Sequence, residues 1–581
     1  MALISKASLL MVPSTYEAGK LYNVLPSGNR APDNKGGAGY DQTRADFDFD
    51  RGSNAAATRI NSSGLIEKYR ENKLLQSNQF DTTWTRTKVA ATSGQADPNG
   101  GSTAWKITES TNDTATYCYL GQSVTANTIS FYAKAGEMTE VLIYVGVSRG
   151  IYFDLTDGSF VGYYSANTDM IYNSTSVGGG WYRYSVFYIG MVTAEIYPAV
   201  SGDLYHDLVI GNGFYLWRAQ AETGLVATEY LNSTSVTAKA GVLIDLPRIN
   251  YDANGENGAL LLEPSRANFI PYSEYFGDWV LDGNGAGQSV TANYSISPEG
   301  LQNAYRLQLS FINGTYSRIR KSVTDSYSGA GVFSVYLKTN DGSTKTISMR
   351  WAGSGNISKT ITSEWQRFDV NGTAIYTLGQ DQELFIGSSL GDSDVVDLSI
   401  YGAMQEAGSY ATSYIPNHGT SGGVTRAADT CSVTGASDVL NDSEGVLYFE
   451  GNFSDIGSLY SAFTIGNSNN TSLVRFYRAN STTLNASVYE AGGWIWGYSL
   501  TTDTTQNFKV ALQWSANVFN AFVNGVKLTG ATDQNSFTLS QLSKVNMGNE
   551  SMAFPFHGNV KELVVLNEAL SDSELATLTT L

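Results

Sequence analysis

Apolar and polar residues alternate with period two along most of the chain. "TISFYAK" (128–134), "RGIYFDL" (149–155), "YRYSVFYI" (182–189) and "VFSVYLK" (332–338) each place apolar side chains on every second position. That is the pattern of a strand with one face buried and one face wet. Turn-forming triplets, "TDG" at 156–158, "GGG" at 178–180 and "NDG" at 340–342, punctuate them, because Gly, Asn and Asp accept the backbone angles that tight reversals need. The fold class read from this is all-β and antiparallel. Only the closing "LSDSELATLTTL" (570–581) departs, where Ser571 or Asp572 can cap a short helix bearing Leu575 and Leu578.

The alternating segments occur in two matching sets. "QAETGLVATEYL" (220–231) is answered by "MQEAGSYATSYI" (404–415), so that Glu222, Gly224, Ala227, Thr228 and Tyr230 meet Glu406, Gly408, Ala411, Thr412 and Tyr414. Upstream, Phe80 and Trp84 meet Phe276 and Trp279, Trp105 meets Tyr305, Lys134 meets Lys338, and the Trp-x-Arg of Trp181/Arg183 meets that of Trp365/Arg367. The offsets drift in order from 196 at Phe80, through 200 at Trp105 and 204 at Lys134, to 184 at Trp181 and Tyr230. Small ordered drifts are what loop insertions and deletions leave behind, so two homologous domains are read at 71–235 and 267–417. Each carries enough short strands for a two-sheet jelly roll.

A third strand-rich segment, 427–581, matches neither copy. "GVLYFEGNF" (445–453), "NFKVALQW" (507–514) and "NVFNAFVNGVKL" (517–528) alternate again, the last with "VNG" as a hairpin signal. The first 70 residues hold a Gly/Asn-rich stretch at 27–42 and then "FDFDRGSN", whose Phe47 and Phe49 suggest a small strand pair. Residues 1–70 are read as an N-terminal adaptor, and 236–266 as a linker that packs with it.

Composition narrows the function classes. The chain has 581 residues, 36 Tyr, 24 Phe, 10 Trp and 59 Gly, with only 15% charged residues, which suits several β domains at about 100–200 residues each. A formal charge of −18 without a Lys/Arg cluster argues against nucleic acid as a partner. No run of 18 apolar residues occurs, so no membrane-inserted helix is expected, and the N-terminus lacks the long apolar stretch of a secretion signal. Cys118 and Cys431 stand 313 positions apart and form neither a disulfide framework nor a metal knuckle.

No catalytic motif emerges. His206, His418 and His557 stand alone, without metal-ligand spacing, and neither a nucleophile elbow nor a phosphate-binding loop is present. The reading is therefore not an enzyme, with no catalytic residue, no metal and no cofactor; oxygen-rich "GNSNNTS" (466–472) and "TTDTTQN" (501–507) would be where a structural calcium could sit. For binding, "GGWIWGYSL" sets Trp494, Trp496 and Tyr498 on alternate positions, a stripe suited to stacking on sugar rings. The same stripe also suits the inner face of a sandwich. The matched Glu222 and Glu406 read more readily as a repeated fold signal than as a repeated site.

Several phrases carry a resemblance. "FDFDRGSNAAATRINSSGLIE", "PRINYD", "ALLLEPSRANFIPYSEYF" and "QEAGSYATSYIPNHG" with its following "VTRAAD" resemble the virion structural proteins of tailed bacteriophages, of tail-fibre and head-fibre type. The repeated domains look like carbohydrate-binding-module-like jelly rolls, and 427–581 is similar to concanavalin A-like or laminin G-like sandwiches. The resemblance implies a fibre or surface appendage in the virion, made in the host cytoplasm and attached by its N-terminal region to other virion proteins. It implies a homo-oligomer such as a trimer, and β domains that bind host surface glycans. A purely architectural tail or decoration protein is the alternative, and a polysaccharide depolymerase the third.

Overall fold

The computed structural model describes residues 7–15, 47–52, 56–243, 247–283, 287–311, 316–323, 329–351, 354–374, 382–388, 392–393, 395–437, 439–454, 461–490, 493–516, 518–529, 537–549 and 551–581. Among these the chain is β throughout, with a single α-helix, Asp572–Thr579, at the C-terminus. Ser571 caps it, accepting from the Glu574 amide while the Glu574 carboxylate accepts from the Ser571 amide, a reciprocal capping box. No helix among the described residues is long and apolar enough to cross a membrane.

The second repeat is a two-layer jelly roll. One five-stranded sheet runs, in spatial order, Val280–Gly283, Ser317–Val323, Gln382–Ser388, Lys345–Trp351 and Ile357–Ile361. The other runs Ser289–Ser295, Ala304–Ser310, Val395–Ala407, Gly329–Thr339 and Gln366–Ala374. Leu307, Phe333, Val335, Ile347, Met349 and Ile386 fill the space between them. The first repeat follows the same order, but Tyr119–Lys134 and Trp181–Ala199 run unbroken through both layers, so its strands join in one ten-stranded sheet folded over on itself. Register shifts between Phe187, Met191 and Thr193 mark the bend, as β-bulges do where a strand must change direction.

The repeated phrase is a latch that closes each roll. Glu222 accepts from the Thr228 amide at 2.9 Å and from its hydroxyl at 2.6 Å; Glu406 does the same with Thr412, at 2.8 and 2.7 Å. Arg183 donates to the Thr228 carbonyl and to Ser130, and Arg367 to the Thr412 carbonyl and to Ser334. Tyr230 bonds Ser77 and Tyr414 bonds Ser273, each at 2.7 Å. Glu222 and Glu406 are 2% and 0% exposed, and burial pushes both carboxyls above their usual range against the pull of the threonine bonds and the nearby arginines. The pair is thus a repeated structural clamp. The Arg183 and Arg367 guanidiniums lie over Tyr132 and Tyr336, at 5.4 and 5.6 Å from the ring centroids.

The third unit is a two-sheet sandwich, and it takes strands from the whole length of the chain. Ala7–Met11 pairs with Gly558–Leu566, Ala259–Leu262 pairs with the other end of the same strand, and Asp48–Asp50 pairs with Thr430–Thr434. Leu9, Met11, Phe47, Phe49, Ile249, Leu260 and Leu262 lie in one core with Phe449, Phe476, Trp514 and Val565. The chain therefore divides differently from the segments read off the sequence. Residues 7–11 and 48–50 belong to the sandwich sheets rather than to a separate adaptor. The 236–266 segment does pack with the N-terminal residues, Ala238–Ala240 on Arg70–Asn72 and Ile249 and Leu260 in one core with Leu9 and Phe49, and its 249–262 hairpin thereby joins the sandwich. Both rolls are insertions between sandwich strands. Short alternating runs identify strands without identifying their sheet partners, which is why the pattern could not show this.

Buried charges join the sandwich strands and the N-terminal hairpin to the second roll, where the Ser413 amide donates to Glu263 at 2.7 Å. Arg248 bonds Glu263 at 2.7 Å and also Asp429; Arg426 lies 2.9 Å from Glu263, and Arg51 3.5 Å from Asp429. Nearby, Lys68 from the hairpin Thr58–Ile60/Ile66–Lys68 reaches Glu274 and Glu299 of the second roll, at 3.0 and 2.8 Å. Cys118 and Cys431 are buried, lie in different units and form no disulfide with each other.

Candidate functional site

The first roll carries a layer of tyrosines on its outer face. Strands Glu140–Gly146, Trp181–Ala199 and Tyr119–Lys134 lie side by side, and Leu120, Ile143 and Ile196 turn inward, fully buried. Their neighbours Tyr119, Tyr144 and Tyr197 must then project from the opposite face, since side chains alternate along a strand. Tyr119 stacks on Tyr197 with centroids 5.0 Å apart, Tyr117 packs on Tyr197 at 6.1 Å, and Tyr205 meets Tyr117 edge-on at 5.7 Å. Tyr144 lies 6.2 Å from Tyr197 and 5.6 Å from Tyr164. Six rings thus form one continuous patch, and Tyr117 and Tyr205 are its most open members, at 39% and 53% exposure.

The patch is held in place by polar groups beneath and beside it. Tyr197 donates to Glu195 at 2.6 Å, and Thr193 donates to the other carboxylate oxygen at 2.9 Å. Burial and then this carboxylate hold the Tyr197 phenol well above its ordinary range, so it is a permanent donor. Gly121 lies opposite Glu195; a Cβ there would come within 2.6 Å of Glu195 Cγ. Only glycine leaves the carboxylate room. The loops carrying Tyr117 and Tyr205 are tied to each other: Thr116 and His206 exchange backbone bonds at 3.1 Å, the His206 ring meets Glu109 at 2.7 Å, and the Ala115 amide donates to Asp207 at 3.0 Å. Rings fixed before a ligand arrives spare the entropy of ordering them on binding.

Flat aromatic faces next to phenol hydroxyls and a carboxylate suit a ligand with apolar C–H faces and hydroxyl edges, which is what a sugar ring presents. The signal in the sequence was the Tyr117/Tyr119 alternation in "TYCYL"; Tyr144, Tyr164, Tyr197 and Tyr205 join it only through strand pairing and loop contacts. A separate cleft of about 650 Å³ lies between the rolls, lined by Tyr132, Tyr172, Asn173, Arg183, Asn293 and Gln302 among others. There Arg183 is already committed to Ser130 and Thr228.

Of the stripe Trp494, Trp496 and Tyr498, the side chains of both tryptophans lie outside the described residues. The backbone sets Trp496 opposite Val488 and Tyr498 opposite Ala486, and a register shift then sets Trp494 opposite Tyr489. Tyr498 is partly buried, stacks on Phe519 at 6.0 Å and packs with Ile495 against the sandwich core.

Other candidates resolve into structural roles. Asn467 takes the Thr471 amide and Asp503 takes the Thr505 amide and hydroxyl, so both oxygen-rich segments are closed turns. Among the described residues, no group of three or more His, Cys, Asp or Glu side chains is placed to hold a metal ion. Glu274 and Glu299 approach each other, but Lys68 stands between them, and Tyr401 donates to both. Enclosed and charge-balanced, they serve as an ion-pair clamp. His418 and His557 are each pushed down to about 4, chiefly by burial.

No family model and no curated protein matches the sequence. Among solved structures, the chain is similar to the CBM40 of Ruminococcus gnavus IT-sialidase bound to α2,3-sialyllactose, at 18% identity over 25% of this chain and 87% of that one, with a TM-score of 0.22. It is similar to the CBM22-1-CBM22-2 tandem of Paenibacillus barcinonensis Xyn10C, at 13% identity over 61% and 99%, with a TM-score of 0.19. Domain 4 of a GH43 arabinanase from Geobacillus stearothermophilus, in complex with arabinotriose, is matched at 14% identity over 26% and 73%, with a TM-score of 0.22. At these scores no ligand passes from those proteins to this chain, whose own side chains have to supply the reading.

Proposed function

We propose that the protein is a non-enzymatic glycan-binding component of a virion, in which the tyrosine face of the first jelly roll takes the sugar. The observation that carries this is the six-ring patch of Tyr117, Tyr119, Tyr144, Tyr164, Tyr197 and Tyr205, held by Glu195 and by the paired loops. The phrases shared with tailed-phage structural proteins support the particle setting. The sandwich, closed by strands from both ends of the chain, is the frame from which the rolls are displayed, and it or the N-terminal region contacts other virion proteins. Assembly as a homo-oligomer such as a trimer lets individually weak sugar contacts add through avidity.

The test is a glycan array probed with the full-length chain, presented multivalently. Binding to a defined set of oligosaccharides, lost in Tyr117→Ala/Tyr205→Ala, is the expected result. Binding to no glycan in this format would overturn the reading and leave the architectural role, and release of reducing ends from host polysaccharide would make the protein a depolymerase.

A further inference from the structure

The outer face of the first roll has a counterpart on the second with a different charge. "QSV" at 122–124 meets "KSV" at 321–323, so Tyr119 and Gly121 correspond to Arg318 and Arg320. Gly121 pairs with Glu195 and Arg320 with Phe385; Glu195 pairs with Tyr144 and Phe385 with Arg350; Tyr197 pairs with Leu142 and Gly387 with Ser348. Six equivalent sheet positions therefore read Tyr119, Gly121, Glu195, Tyr197, Tyr144 and Leu142 on one roll. On the other they read Arg318, Arg320, Phe385, Gly387, Arg350 and Ser348. A face with one carboxylate has become a face with three guanidiniums, on a chain whose formal charge is −18.

The arginines are organised. Arg320, Phe385 and Arg350 form one row across three neighbouring strands, which sets the two arginine backbones about 10 Å apart at sheet spacing. The Arg318 guanidinium lies 5.1 Å from the Phe385 centroid and 4.7 Å from that of Tyr316, and Arg350 lies 5.9 Å from Phe385. A guanidinium laid on a ring presents its N–H edges sideways, in the plane where an anion can approach. Asp282 answers part of the charge, bonding Arg318 at 2.7 Å and lying 3.2 Å from Arg320, while Arg350 is exposed. Gly387 keeps the floor between Arg318 and Ser348 bare: a Cβ there would come within 2.6 Å of Arg318 Cβ.

We infer that this face of the second roll binds an acidic polysaccharide, whose carboxylate or sulfate groups are taken by Arg320 and Arg350 above the floor of Phe385 and Gly387. A nucleic acid needs a longer basic track than three residues. An acidic protein partner needs a buried apolar anchor at the contact, whereas Phe385 is already covered, at 6% exposure. Tyr316, 39% exposed at the rim, offers a ring for a sugar. The inference stands apart from the tyrosine face, because it uses a different roll and different side chains.

Calorimetric titration of the full-length chain with oligogalacturonate, a sulfated dextran oligomer, neutral dextran, polyglutamate and inorganic phosphate tests it. An acidic oligosaccharide should bind, more weakly as salt is raised, and neutral dextran should not compete for this site. Arg320→Gln and Arg350→Gln should each weaken it at least about tenfold, since each removes a charge-assisted contact. Lys527→Gln, at an exposed lysine paired with Asp572 on the sandwich, should leave binding and melting unchanged. Equal loss in Lys527→Gln would reduce the effect to the general field, and tighter binding of polyglutamate or phosphate than of either acidic sugar would assign the face to another ligand. No acidic sugar bound above dextran would sink the inference outright.

Discussion

Phe49 begins the chain's story and Val565 nearly ends it, yet they share one core. Phe49 is 5% exposed and its strand pairs with Cys431; Leu9 is fully buried and pairs with Val565. Truncating a buried Phe to Ala costs about 3–5 kcal/mol and a buried Leu about 2–5 kcal/mol. The side chains of Leu9, Met11, Phe47 and Phe49, all at most 6% exposed, contribute about 6–12 kcal/mol together at about 1.5–3 kcal/mol each. That is comparable to the whole stability of a domain, about 5–15 kcal/mol. Phe49→Ala should therefore lower hydrogen-exchange protection in Thr430–Thr434 and Gly558–Leu566, hundreds of positions away, and leave the strands of the second roll unaffected. A fragment of 427–581 should fail to unfold cooperatively. Wild-type protection at both strands in Phe49→Ala, or a fragment that melts like the full chain, would refute the shared sandwich.

His557 is 8% exposed, beside Asp429, Arg266, Glu263 and Arg426, and burial pushes it down to about 4 from 6.5. A depressed folded-state value means stability present above 6.5 and lost as pH falls, about 2 kcal/mol by pH 5. Glu222 and Glu406, shifted upward, act in the opposite sense, but equally in His557→Gln, so urea titrations of variant and wild type should diverge below pH 6.5; parallel curves would contradict the buried neutral imidazole. Arg248→Met leaves Glu263 and Asp429 buried without a shared partner and should destabilise by about 3–5 kcal/mol in thermal melts. Thr412→Val removes the hydroxyl from the Glu406 clamp and should lower stability by about 1–3 kcal/mol, with Thr412→Ser nearly restoring it.

The alternation of residues such as Ile129, Phe131 and Ala133 made the strands visible, and the ordered offsets made the duplication visible. The phrase around Glu222 and Glu406 was legible as a fold signal because Thr228/Thr412 and Tyr230/Tyr414 recur with it at fixed spacing. Sheet membership was not legible: Ala7–Met11 and Asp48–Asp50 carry no mark of pairing with Gly558–Leu566 and Thr430–Thr434. The tyrosine face was hidden for the same reason, since Tyr119, Tyr144 and Tyr197 stand on three strands and meet only through register. Near Trp494, the strand pairing shifts register between Val488 and Tyr489, a feature the sequence does not show. The charge reversal from Glu195 to Arg318, Arg320 and Arg350 became readable only once the two rolls could be aligned strand by strand.

We propose that the first roll holds sugar on its tyrosines. Titration of an array-selected oligosaccharide into wild type and Tyr117→Ala/Tyr205→Ala, two open rings whose loss leaves the core intact, tests it most directly. Melting should be unchanged and binding weakened at least about tenfold, or about 1.4 kcal/mol; equal affinity in both proteins would contradict the proposal.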